Sequence, residues 1–83
     1  MADFTACLPG YEGRSYHGDL EVSIVGDAFD LTLITHNPNY GGASGLGRYT
    51  LAELEVADLL DGRYPEVVAD LRAWARRVVA ARR

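Results

Sequence analysis

The chain has 83 residues, a formal net charge of −4 and 48% hydrophobic residues, a composition typical of one small globular domain. A chain of this length buries only about 60–65% of its unfolded surface, which excludes a second independent core. The sequence has no apolar run of the roughly 18–20 residues that span a membrane, and no N-terminal basic segment followed by an apolar stretch. We therefore expect a soluble cytoplasmic protein that does not bind membranes.

The cysteine and the basic residues restrict the chemistry further. The single cysteine, Cys7, excludes an internal disulfide and any zinc or redox motif built on paired cysteines. Its place in a short apolar stretch is typical of a small apolar filler rather than a nucleophile. All eight basic residues are arginine. Because arginine codons are GC-rich, this bias indicates a GC-rich genome and a bacterial or phage source.

A β-hairpin is the clearest element of the sequence. Apolar and polar residues alternate over residues 20–25 and again over residues 29–34, as in half-buried strands. Gly26 and Asp27 between them fit a two-residue type II′ turn, in which glycine takes the positive φ angle. The predicted register pairs Ile24 with Phe29, Val22 with Leu31 and Leu20 with Leu33, and all six side chains then share one face. Residues 4–8 predict a further short strand with Phe4, Ala6 and Leu8 on its apolar face.

Two helices follow the strands. Thr50 and Glu53 match a capping box, which predicts a helix from Thr50 to about Leu60 that ends at the pair Asp61-Gly62. Pro65 opens a second helix, whose apolar stripe has Trp74 at its centre as a core anchor. The sequence therefore predicts a single α+β domain over residues 1–83. Its order is β-β-β-α-α, a three-stranded antiparallel meander with two antiparallel helices packed on one face.

Two segments, residues 9–18 and 36–48, have no strand or helix pattern. In a three-stranded meander both leave the sheet at one end, where the first helix begins and to which the second returns its arginine-rich C-terminus. Long segments of this kind are often functional, and tyrosine and arginine are enriched at the energetic centres of interfaces. We therefore expect a partner-binding surface at this end, formed by Tyr11, Arg14, Tyr16, His17, His36, Asn39, Tyr40 and Arg48.

The glycine-rich part of the second segment, from Gly41 to Arg48, supports an alternative function. It leads into a helix N-terminus, where backbone amides bind phosphates and other anions. It matches neither the phosphate-loop nor the dinucleotide-binding motif, and the capping box places Glu53 where an anion would bind. The alternative is a small-molecule, nucleotide or anion-binding protein that uses this segment as a loop.

Metal binding and catalysis have weaker support in the sequence. His17, Asp19 and His36 are of the residue types that bind metals, but zinc sites normally contain a short chelating pair of ligands. We therefore expect no metal and no cofactor. No nucleophile elbow or zinc-protease motif is present, so the sequence names no catalytic residue and favours a protein that is not an enzyme.

Charge is distributed unevenly along the chain. Residues 1–71 carry all 12 acidic residues and 3 arginines, whereas residues 72–83 carry 5 arginines and no acidic residue. Cations at a helix C-terminus are expected from the helix dipole, so this pattern does not predict direct nucleic-acid binding. We expect a non-enzymatic protein-interaction module, a small regulator, adaptor or inhibitor with a protein partner. Assembly into a homo-oligomer is a further alternative, because a small core is marginal alone.

Overall fold

A four-stranded antiparallel sheet in the order β1-β2-β3-β4 carries the fold. In this computed structural model the described residues are 2–10, 17–36 and 42–82. The strands are β1 (Phe4–Pro9), β2 (His17–Val25), β3 (Ala28–His36) and β4 (Gly42–Thr50). The α+β class predicted from the sequence is confirmed, but the sheet has one strand more than the predicted meander.

Strand β4 corrects the prediction of a loop over residues 36–48. Residues 42–50 pair with β3 along their length, so only residues 37–41 of that prediction lie outside the described chain. The segment carries no apolar alternation because it is an edge strand whose side chains are mostly exposed. Its strand conformation comes from backbone pairing with β3, which composition does not reveal. A bulge opposite Leu31 and Thr32 leaves Leu46 as the extra residue, half-buried against the core.

The hairpin register predicted from the sequence is confirmed. Ile24 pairs with Phe29, and the pairing continues from the turn to the far ends of β2 and β3. Gly26 has a φ of 61°, whereas Asp27 has a negative φ, the combination that a type II′ turn requires. The alternation therefore places one side of the sheet in the core.

The core lies between the sheet and the helices. Leu20, Val22, Phe29, Leu31 and Leu33 are buried on the sheet, and Leu54, Val68, Leu71 and Ala75 are buried on the helices. Trp74 packs against this core as the sequence predicted, with its ring centroid 5.2 Å from that of Phe4 and 5.5 Å from that of Phe29. Aromatic pairs at these separations stabilise a core beyond the area that they bury.

Helix α1 (Leu51–Val56) begins where the sequence predicts and ends four residues before the predicted end at about Leu60. The capping box is present: the Glu53 amide donates to the Thr50 hydroxyl at 3.3 Å, and the Thr50 amide donates to the Glu53 carboxylate at 3.0 Å. The prediction that this helix reaches Leu60 is wrong. Arg72 donates from Nε to the Leu54 carbonyl at 3.0 Å and from Nη2 to the Ala57 carbonyl at 2.9 Å, so a tertiary contact satisfies the carbonyls at the end of the helix.

Helix α2 (Pro65–Ala81) crosses the sheet from one end to the other. Pro65 occupies its first turn as predicted, and the Tyr64 hydroxyl before it donates to the Pro9 carbonyl at 2.7 Å. At the other end, Arg82 donates to the Gly26 carbonyl of the hairpin turn at 2.6 Å. The arginine-rich C-terminus therefore lies at the hairpin end, opposite to its predicted place, because β4 adds one more pass of the chain. Among the described residues, no helix has the length and apolar character needed to cross a membrane.

The hairpin turn generates a first prediction. Gly26→Ala places a side chain at a φ of 61° and should destabilise the protein by about 1–2 kcal/mol, because L-residues are strained in the left-handed region. Gly45→Ala is the matched control: its new Cβ meets no atom within 4 Å, and its φ lies outside that region. Urea unfolding of both variants measures the difference. Equal stability of the two variants would show that the turn does not need glycine.

Arg72 generates a second prediction. Arg72→Met keeps most of the aliphatic stem but removes both donors to the end of α1, so it should lower the free energy of unfolding by about 1–3 kcal/mol. The control Arg77→Met changes an exposed arginine of the same helix and should stay within about 0.5 kcal/mol of wild type. Chemical denaturation monitored at Trp74 gives both values, and an equal loss in the two variants would contradict the assignment.

The ion pair between the helices generates a third prediction. Two hydrogen bonds of 2.6 Å from Arg76 lower the pKa of the Glu55 carboxyl below its ordinary value of 4.5. Because the folded pKa is lowered, the pair stabilises the fold above about pH 4.5 and loses this effect as pH falls through the folded pKa. The stability difference between wild type and Glu55→Gln should therefore shrink as pH falls from 6 to about 3, measured by urea unfolding at each pH. A constant difference would contradict it.

Candidate functional site

The two faces of the sheet differ in their cover. The helices pack on the face that carries Leu20, Val22 and Leu31, and the opposite face, called here the outer face, is not covered by any described element. By strand register, the outer face presents Thr5, Cys7, His17, Asp19, Glu21, Ser23, Asp30, Thr32, Ile34, His36, Ala43, Gly45 and Arg48. None of these residues is buried. The outer face is therefore accessible to solvent along the described strands.

Three residues with metal-binding or acid–base side chains meet at one end of the outer face. His17 on β2 pairs with His36 on β3, and their imidazole rings stack with centroids 4.6 Å apart and an interplanar angle of 23°. Asp19 contacts His36, with its Oδ2 atom 2.6 Å from the His36 Nε2 atom. The side chains of His36 and Asp19 are 43% and 35% exposed, so both are accessible to a ligand. These three residues are named the histidine cluster.

Strand geometry brings the histidine cluster together. His17 and Asp19 are two residues apart on β2 and so point to the same side of the sheet. His36 is the direct partner of His17 across the β2–β3 pair. The sequence assigned both histidines to loops because each strand extends two or three residues beyond its last apolar position. The predicted hairpin register, continued three pairs past Leu20 and Leu33, does place His17 opposite His36, so the signal was present in the sequence.

The structure separates the predicted site residues. It brings His17 and His36 together, whereas Arg48 pairs with Asp30, six residues along β3 from His36 or about 20 Å away. The prediction that Arg48 lies at the same end as the histidines is therefore wrong, although it is on the outer face by register. Five predicted site residues lie outside the described residues: Tyr11, Arg14, Tyr16, Asn39 and Tyr40.

The segment from Gly41 to Arg48 is not the loop that the anion-binding alternative assumed. Gly41 lies outside the described residues, and the rest belongs to β4. The following helix α1 has only six residues, and the Glu53 amide in its first turn already donates to Thr50. Pairing with β3 occupies about every second backbone amide of β4, and the strand is extended rather than curved around a central point as a phosphate-binding loop is. Among the described residues, this segment offers no cradle for an anion.

Cys7 is exposed on the outer face, so the prediction that it fills a small apolar space is wrong. It lies across from Asp19 in the β1–β2 pair, next to the histidine cluster. A cysteine nucleophile needs a base within hydrogen-bond reach. In the described part of the chain, no hydrogen bond joins Cys7 to His17 or His36, and the His36 contact goes to Asp19 instead. The geometry therefore does not assemble a thiol nucleophile with its base.

Comparisons with protein-family models, with curated proteins and with solved structures found no match.

Proposed function

We propose that this chain is a non-enzymatic protein-binding module, a small regulator, adaptor or inhibitor. Its binding surface is the outer face together with the segments 10–16 and 37–41, which join the sheet at the histidine cluster. One observation carries the proposal: one face of the sheet is packed in the core, and the opposite outer face is open to solvent. A sheet face without a helix over it is free to contact another molecule.

The dimensions of the outer face fit a protein partner. A nine-residue strand is about 30 Å long, and four strands spaced about 4.8 Å apart give a face of roughly 500 Å². A standard protein interface covers about 800 Å² per partner. The outer face of the described strands therefore has an area of the order that a protein interface covers and larger than a small-molecule ligand needs.

Charge on the outer face indicates the chemistry of the partner. Asp19 and Glu21 on β2 and Asp30 on β3 are acidic. Among the described arginines, Arg48, which pairs with Asp30, is the one that lies on this face. An acidic face favours encounter with a basic protein surface and disfavours the phosphates of nucleic acid. We therefore propose a protein partner with a basic contact surface.

Affinity capture tests the proposed function. The immobilised chain is incubated with a lysate of its source organism, with and without nuclease, and a captured protein is then purified for titration. Glu21→Lys and Tyr40→Ala should each weaken its binding at least about tenfold, the loss expected for a contact at the centre of an interface. The melting temperature of Glu21→Lys should stay within a few degrees of wild type because Glu21 lies outside the core.

Two matched controls locate the surface. Arg77→Ala and Glu66→Ala change exposed residues of α2, which packs on the other side of the sheet, so both should bind as wild type does. Loss of binding in these controls but not in the outer-face variants would place the interface on the helices and contradict the proposal. A partner released by nuclease would show instead that nucleic acid forms the bridge.

A further inference from the structure

We propose that the histidine cluster is a binding site for a divalent transition-metal ion, with one ligand atom each from His17, Asp19 and His36. The metal-ligand atoms of these residues all lie within 4.8 Å of one another, and each side chain is accessible to solvent. The site does not depend on the proposed protein partner, because its ligands all come from this chain.

The spacing of the three residues on the sheet suits a metal ion. Side chains of directly paired residues start about 5 Å apart, and those two residues apart on one strand start about 6.6 Å apart. Imidazole and carboxylate side chains on these positions converge above the sheet. Tetrahedral zinc, with bonds of about 2.0–2.1 Å, holds its ligand atoms roughly 3.3 Å from one another. The ligand atoms therefore have to move closer to one another by about 1.5 Å, which rotation of the exposed side chains can supply without movement of the backbone.

The ligand types select the class of metal. Two imidazole nitrogens and one carboxylate oxygen suit zinc and its neighbours in the first transition row, whereas calcium and magnesium prefer oxygen ligands throughout. Three protein ligands leave a coordination position open toward solvent, as in zinc sites that bind water or an external ligand. The site is therefore open rather than closed by the protein.

Contacts within the histidine cluster prepare it for the metal. The 2.6 Å contact from Asp19 to His36 and the 4.6 Å stacking of His36 on His17 already hold the three side chains together. A metal ion replaces the Asp19–His36 hydrogen bond with two bonds of its own. Since the strand pairing fixes the three Cα positions, little conformational entropy is lost when the ion binds.

Zinc titration of the untagged, purified chain tests this proposal. Zinc alone is the probe, in competition with a chromophoric chelator at pH 7.5, and we expect saturation at one equivalent. His17→Gln, Asp19→Asn and His36→Gln should each weaken binding at least about tenfold, because even outer-shell partners of metal ligands contribute that much. Glu21→Gln is the matched control. Glu21 is the next residue after Asp19 on the outer face of β2, and the loss of its charge should not affect the affinity for zinc.

Nuclear magnetic resonance identifies the ligands directly. The chain has only two histidines, so its imidazole signals report on His17 and His36 alone, and zinc should shift the ring nitrogens of both in proportion to occupancy. This readout does not depend on any variant being folded. Zinc bound with only one imidazole shifted, or with neither, would overturn the proposed ligand set.

Cys7 provides the decisive alternative, because its exposed thiol lies across from Asp19 on the outer face. Cys7→Ser should keep zinc affinity within about threefold of wild type if the proposal holds, since ligand loss costs at least about tenfold. Affinity lost in Cys7→Ser and kept in His17→Gln and His36→Gln would show a thiolate site instead. Absence of saturable binding in the wild-type chain would overturn the proposal outright.

Discussion

The pairing register of β2 and β3 determines both faces of the sheet. Side chains alternate along a strand, so a shift of the register by one residue would move Val22 and Leu31 from the core to solvent. The same shift would separate His17 from His36 and break up the histidine cluster. The type II′ turn at Gly26 and the burial of the apolar face therefore hold the register, and this register in turn positions the residues of the outer face. The stability of the fold and the position of the candidate site therefore both depend on the pairing register of β2 and β3.

Arginine side chains connect helix α2 to the rest of the chain. Arg72 closes the end of α1, Arg76 pairs with Glu55, and Arg82 reaches the carbonyl of Gly26. The planar guanidinium supplies several donors in a fixed geometry, which suits contacts with two carbonyls or a carboxylate at once. Three arginines of the C-terminal part of the sequence thus have an intramolecular role along α2.

The two proposals use the outer face in different ways. The protein-binding proposal depends on its area and its acidic character, while the metal proposal depends on three residues at one end. An open coordination position would allow a partner or a water molecule to complete the metal site, but zinc binding by the purified chain does not require the partner. Each proposal can therefore fail without the other.

The sequence alone determined the elements that have a local physical cause. Apolar alternation and a glycine turn predicted the hairpin and its register, the capping box predicted where α1 begins, and Pro65 predicted where α2 begins. The meeting of His17 with His36 follows from that same register once the strands are extended. These features depend on the properties of neighbouring residues, which a sequence displays.

Only the tertiary structure decided what depends on contacts between distant segments. Strand β4 exists because β3 offers it backbone hydrogen bonds, and its glycine-rich sequence carries no pattern of its own. Helix α1 ends at Val56 because Arg72 reaches it from α2. The fourth strand also moved Arg48 away from the histidines and brought the C-terminus to the hairpin end. These outcomes depend on partners far along the chain, and local composition does not encode such partners.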